Sequence, residues 1–151
     1  MLYYTYMNET RGATATIAQP HFTLSILHAA QAIGDQIEEA LGKVGLSMAK
    51  HSALTQLAQA GEPLTLSELA ARLSCVRSNI TQLVDRLEAD GLVRRVDDAA
   101  DRRSVRAELT PLGIERQGQG SAEMERVQDE ISSRISASDL ASLKSALGSL
   151  E

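Results

Sequence analysis

The stretch from Leu64 to Thr110, LTLSELAARLSCVRSNITQLVDRLEADGLVRRVDDAADRRSVRAELT, restricts this chain more than any other. Thr65 stands three residues ahead of Glu68, the spacing of a reciprocal capping box. A short helix therefore opens at Leu66, with Leu66, Leu69, Ala70 and Leu73 on its apolar side. A cap of this kind is worth about 1 kcal/mol. Ser74 is placed to cap a second helix, whose Val76, Ile80, Leu83, Val84 and Leu87 form an inner stripe at intervals of three and four. Gly91 ends it, because glycine enters the left-handed conformation without a Cβ penalty. Leu92 to Val96 is β-prone, and Val105, Ala107 and Leu109 alternate with Arg106 and Glu108 as a half-buried strand does. Between these two runs, the polar segment DDAADRRS reads as a turn-like tip.

The flanks are helical in pattern. Residues 1–20 are polar and patternless and read as a mobile arm. From His21 a stripe runs through Ile26, Ala30, Ile33, Ile37, Leu41 and Val44, and Gly42 and Gly45 loosen its end. Ser47 can cap the next helix, with Met48, Leu54, Leu57 and Ala58 expected inside, before Gly61 and Pro63 stop it. Thr110-Pro111 restarts helix with a capping residue and a proline at the first helical position. Met124, Val127, Ile131 and Ile135 continue that stripe. Ser136, three residues before Asp139, then opens a last helix through Leu140, Leu143, Leu147 and Leu150.

Together these elements predict a mainly α, α+β chain: a winged helix-turn-helix over 46–110 with added helices over 21–45 and 111–151, all within one domain from 21 to 151. All three tyrosines precede residue 7, and one Phe and no Trp remain, so the core is expected to be aliphatic. A compact winged helix of about 75 residues leaves the outer stripes unused, and twofold pairing of subunits would cover them. A helical groove for a ligand or partner is the rival use. One cysteine gives no internal disulfide and no paired metal spacing, which suits a reducing cytoplasm. No signal peptide or membrane-length apolar run is evident.

Helix 76–90 leaves Arg77, Ser78, Asn79, Thr81, Gln82, Asp85 and Arg86 outside its apolar stripe. Arg, Asn and Gln can make paired hydrogen bonds to base edges in a major groove, whereas Ser and Thr suit phosphate oxygens. A merely solvated face would carry more Glu and Lys. In the tip, Asp101, Arg102 and Arg103 follow directly, and a guanidinium there can enter a narrow minor groove. Asp101 can orient Arg103 by a charge-assisted bond; the plain alternative is a surface ion pair. The chain's net charge of −5 does not oppose this reading. Residues 72–106 hold eight Arg against six Asp and Glu, a net of +2, and the remainder carries −7. The chain therefore reads as a binder of double-stranded DNA. A winged helix used for protein contact is the alternative.

Other signals are weaker. No nucleophile elbow, phosphate loop or dinucleotide turn is present, so enzyme chemistry is not expected and no cofactor is called for. His21, His28 and His51 lack a tight His-x₃-His pair and read as solvated or interface residues rather than metal ligands. Cys75 at a helix start would have a lowered pKa if it served as a redox thiol, but it suits a small packing role better. Gly113, Gly118 and Gly120 crowd one helix, where they fray it, kink it or admit another backbone.

The segment SELAARLSCVRSNITQLVDRLEADGLVRR resembles the helix-turn-helix of the MarR family of bacterial transcription regulators, and DRRSVRAELT fits that family's wing pattern of D-x-R followed by L-T. The resemblance covers residues 21–151 and is most specific over 64–111. It implies that Arg103 is the minor-groove arginine, Asp101 its orienting partner and the outer helices a homodimer interface. It further implies a near-palindromic operator, usually repressed, with relief by a small anion, a phenolic compound or an oxidant. Cys75 departs from the family's peroxide sensors, which keep their thiol near the N-terminus.

Overall fold

The computed structural model describes residues 20–73, 77–98 and 105–149. Nearly all of the expected arm, the Ser74 cap, Val76 and Leu150 lie outside the described residues. In order, the elements are α1 (Pro20–Gly42), α2 (Met48–Ala60), β1 (Leu64–Thr65), α3 (Leu66–Arg72), α4 (Arg77–Ala89), β2 (Val93–Asp97), β3 (Val105–Leu109), α5 (Pro111–Ser133) and α6 (Ala137–Gly148). Helix dominates, and the antiparallel sheet has three strands in the order β1-β3-β2. This is the mainly α winged-helix architecture that the sequence predicts.

The described residues divide into two compact units, one up to Ile33 and one from Gly34 onward. In the first, the opening turns of α1 begin at Pro20, one residue before the expected start, and leave Leu24, Leu27 and Ile33 exposed. The second unit holds the remaining elements around an aliphatic core centred on Leu41, Leu54, Leu69, Ile80, Val84 and Leu87, each fully buried.

The helix starts follow from local hydrogen bonding. Ser47 accepts from the Lys50 N–H at 3.3 Å. Thr65 and Glu68 exchange both bonds of the capping box, at 3.2 and 2.8 Å. Ser136 accepts from the Asp139 N–H at 3.2 Å. Gly91 ends α4 with φ 71°, the left-handed conformation that glycine alone adopts at no cost.

Several expectations are corrected. Met48 and Ala58 are exposed rather than inside: at about 100° per residue Met48 falls opposite buried Leu57, and Ala58 lies a quarter-turn beyond it. Val44 and Ile135 sit past their helix ends. Val105 is exposed because β1 pairs only with Arg106 and Ala107, so the end of β3 has no strand beside it on that edge. Leu143 and Leu147 are exposed, and α6 has no buried residue. The two-residue strand β1 has no counterpart in the sequence reading.

One junction fixes how the helices meet. The Thr110 N–H donates to the Leu92 carbonyl at 3.1 Å, and Thr110 Oγ1 donates to the Gly91 carbonyl at 2.7 Å while accepting from Gly113 N–H at 3.0 Å. The Leu92 carbonyl therefore lies directly over the first turn of α5, where a Cβ at Gly113 would collide with it. Gly120 admits a second close neighbour: its Cβ would stand 2.5 Å from His51 Cδ2 and 3.0 Å from Leu46 Cδ1. Close approach is thus the use of two of the three glycines in α5. Gly118 has open space around it.

Opposite outcomes follow for two substitutions in one helix. Gly113→Ala should lower stability by about 1–3 kcal/mol through overpacking, and Gly118→Ala should raise it by roughly 0.5–1 kcal/mol through helix propensity. Urea denaturation of both variants checks this; a Gly113→Ala protein as stable as Gly118→Ala would mean that the Leu92 carbonyl yields freely.

Candidate nucleic-acid interface

Helix α4 separates two chemistries. Its Ile80, Val84 and Leu87 are fully buried and Leu83 half-buried, against α2, α3 and β2. Asn79, Thr81, Gln82, Asp85 and Arg86 are exposed. Asn79, Gln82 and Arg86 stand at i, i+3 and i+7 and so follow one line along the helix. Arg77 and Ser78 belong to its first turn, and their side chains lie outside the described residues. The exposed line carries the side chains able to make two-point hydrogen bonds to a base edge.

The helix is held in place by charge. Arg95 of β2 bonds Asp85 through Nη2 and Glu88 through Nη1, and its backbone N–H donates to Glu88 Oε1 at 3.2 Å. The Asp85 hydrogen bond, more than the Glu88 one, raises the Arg95 pKa above its ordinary value against the opposing effect of burial. The only carboxylate on the outer face between Gln82 and Arg86 is thereby paired.

Two further arginines of the basic segment are also engaged. Arg94 Nε donates to Glu108 Oε2 at 2.6 Å across a directly opposed strand pair. Arg106 Nε donates to Asp98 Oδ2 at 2.8 Å and Nη1 to the Pro63 carbonyl at 3.0 Å, with Glu68 Oε2 at 3.6 Å. Charge counting along the sequence did not separate these structural arginines from those facing outward. Their carboxylate partners come from other elements, so no local spacing marks them. Asp101, Arg102 and Arg103 lie outside the described residues, as does Cys75.

His51 corrects the expectation of a solvated or interface histidine. It is half-buried between α2 and α5, with Nε2 3.3 Å from Ser121 Oγ. Gln117 Nε2 donates to Ser121 Oγ at 3.0 Å and to Thr55 Oγ1 at 3.4 Å, continuing the polar contact between the same helices. Burial lowers the His51 pKa below its ordinary value, partly opposed by a hydrogen bond with the Gln117 backbone. The slot beside Gly120 that receives the ring was not visible in the sequence of α2. His21 and His28 are exposed. Among the described residues no three His, Cys, Asp or Glu side chains gather as metal ligands would.

Behind α4, an apolar cleft of about 440 Å³ is lined by Glu38, Met48, Ala49, Ser52, Leu73 and Leu83. It lies where α2, α3 and α4 approach the last turns of α1.

Comparison with known proteins places this geometry. A family model described as the MarR family matches residues 46–105. PecS of Dickeya dadantii (strain 3937), an HTH-type transcriptional regulator, is 32% identical over 120 residues, covering 76% of this chain and 70% of the relative. PrsX of Escherichia coli, also an HTH-type transcriptional regulator, is 35% identical over 98 residues, covering 64% of this chain and 59% of the relative. The chain thus spans about three-fifths of the length of PrsX. Among solved structures, the organohalide-sensing transcriptional regulator RdhR in its 2,4-dichlorophenol-bound form superposes with a TM-score of 0.78 at 23% identity, over 95% of this chain and 86% of that one.

The buried imidazole gives a pH signature. Above 6.5, its ordinary pKa, both folded and unfolded chains hold His51 neutral and its contribution to stability is intact. As the pH falls below 6.5, the unfolded chain takes up a proton that the folded chain resists, and stability declines until the lower folded pKa is reached. His51→Gln should flatten this part of the stability–pH curve, measured by urea denaturation between about pH 7.5 and 5. An unchanged slope would mean that the ring is as well solvated when folded as when unfolded.

Proposed function

The chain belongs to the MarR family, and from that membership and the geometry of α4 we propose that it is a sequence-specific, DNA-binding transcription regulator acting as a homodimer. The observation that carries this reading is the exposed line of Asn79, Gln82 and Arg86 on a helix whose opposite face is locked into the core. These three read base edges in the major groove. Arg77, Ser78 and Thr81, toward the helix N-terminus, hold phosphates. Asp101, Arg102 and Arg103 form the wing contact, with Arg103 in the minor groove and Asp101 orienting it. Its curated relatives are named as transcriptional regulators, and regulation rather than catalysis is the activity assigned here.

Homodimerisation is supported by apolar side chains left at the surface: Leu24 and Leu27 of α1, and Leu143 and Leu147 of α6, are 43–58% exposed. Residues 21–45 and 111–151 supply the pairing helices and 46–110 the reading lobe, within one domain that follows the arm. Twofold pairing would set two copies of α4 about one DNA turn apart, roughly 34 Å, and call for a near-palindromic operator. The protein works as a repressor relieved by a small anionic or phenolic effector. The apolar cleft behind α4 and the dichlorophenol-bound form of RdhR support that assignment. The cytoplasm is the assigned compartment; among the described residues no helix is long and apolar enough to cross a membrane.

Duplexes selected from random DNA by the purified protein test the reading. Their affinity should fall steeply with salt, each neutralised phosphate adding about 0.9 to the logarithmic slope. Salt-insensitive binding, or no selected duplex, would overturn it. Gln82→Ala should cost about 1–3 kcal/mol on the selected sequence and little on unrelated DNA; equal weakening on both would make Gln82 a backbone contact. Arg103→Ala should weaken binding while leaving the melting temperature and the dimer unchanged, and unaltered affinity would remove it from the interface.

A further inference from the structure

We infer that Arg106 is a positioning residue for DNA recognition, fixing the root of the β2–β3 ribbon to the capped start of α3. The inference rests on the DNA-binding reading above. It begins with Asp98, the last described residue before the tip. Asp98 is 7% exposed and is the only buried charged residue among those described. A carboxylate so placed needs a charged, hydrogen-bonding partner. Arg106 supplies it through Nε at 2.8 Å.

The position of that bond matters. The β2–β3 ladder ends at the pair Asp97 and Val105, so Arg106, itself paired with Val96, reaches diagonally to Asp98, the first residue of the β2 side past the last backbone pair. The same guanidinium reaches the opposite edge of β3. Its Nη1 donates to the Pro63 carbonyl at 3.0 Å, just ahead of β1, and stands 3.6 Å from Glu68 Oε2 in the capping box of α3. Arg106 is also the ladder partner of Thr65, which caps α3. Since α3 packs on α4, one side chain holds the ribbon root in the frame of the reading helix.

The geometry distinguishes this role from a phosphate contact. Arg106 is half-buried and its N–H groups point at the Asp98 and Pro63 oxygens inside the protein. The two acceptors are served by different nitrogens of one rigid guanidinium, Nε and Nη1, a spread that the single ammonium nitrogen of lysine does not reproduce.

The test uses the full chain with Arg106→Leu, Arg106→Lys and Asp98→Asn, and two readouts. Without DNA, amide hydrogen exchange over residues 96–98 and 105–106 should accelerate about tenfold or more in all three variants. On a duplex that the wild-type protein selects from random DNA, well below the melting temperature, Arg106→Leu and Asp98→Asn should each bind about tenfold more weakly or worse. Arg106→Lys should recover little. Weaker binding by Asp98→Asn is the discriminating result, since removing a negative charge can only favour DNA if Arg106 touches phosphate. The inference is overturned if Asp98→Asn binds as tightly as wild type, if Arg106→Lys restores full affinity, or if the variants lose thermal stability alone. Absence of salt-dependent binding by the wild-type protein would sink the DNA-binding reading and this inference with it. Wild-type affinity in the variants would sink the inference alone. If Arg106→Leu fails to fold, the other two variants decide.

Discussion

The contact on which the rest of the molecule depends is the Leu92 carbonyl lying over the first turn of α5. It is possible only because residue 113 has no side chain. At this point the end of α4, the start of β2, the end of β3 and the start of α5 meet within a few residues of one another. Gly91 turns the chain at φ 71°, Leu92 receives the Thr110 N–H, and the Thr110 hydroxyl bonds Gly91 and caps α5 at the same time. Helix α4 and the β2–β3 ribbon are therefore placed by a backbone approach rather than by side-chain volume. A backbone contact of this kind leaves no room for gradual adjustment, because close-packed interiors transmit displacement instead of absorbing it.

Electrostatics complete what that junction begins. Arg95 joins β2 to α4, Arg94 joins β2 to β3, and Arg106 joins β3 to Pro63 and the capping box. Each of these arginines is matched to carboxylates, so charge is close to balanced where these elements meet. What remains for a partner on α4 is the line through Asn79, Gln82 and Arg86, beside a carboxylate already paired. An acidic chain can thus present on α4 a polar line whose neighbouring carboxylates, among the described residues, are paired. The summed charge of −5 describes the remainder of the chain better than it describes that face.

What was legible in the sequence was what is local. The capping box of Thr65 and Glu68, the Ser47 and Ser136 caps, the Thr110-Pro111 start and the Gly91 stop all depend on spacings of three residues or on one conformation. The stripe of Ile80, Val84 and Leu87 was equally plain, because helical periodicity repeats over several turns. Illegible features were those set by partners distant in the chain. Two residues of β1 carry no period, and they become a strand only because β3 lies beside them. Which arginines are structural depends on carboxylates 7 to 38 residues away. His51 looked solvated because the glycine that receives it stands in α5. Of the interface, the exposed line on α4 was readable from the periodicity of its buried stripe. The Arg106 link to Asp98 and Pro63 was not.

These ties bear on how binding could be switched in the proposed dimer. A reading lobe braced by a backbone approach and three arginine links has few soft internal degrees of freedom. Its outer helix offers the contrast: α6 has no buried residue, and its Leu143 and Leu147 face outward. In a symmetric pair the spacing between the two copies of α4 is a property of that outer packing, whereas the shape of each copy is a property of the lobe. DNA presents successive major-groove faces at a fixed repeat of about 34 Å, so a small change in spacing disengages both helices together. An effector that acts on spacing leaves every bond at Leu92, Arg95 and Arg106 intact. One that acts on the shape of the lobe has to strain or break them. The physics of the lobe therefore favours control by moving reading helices as rigid bodies.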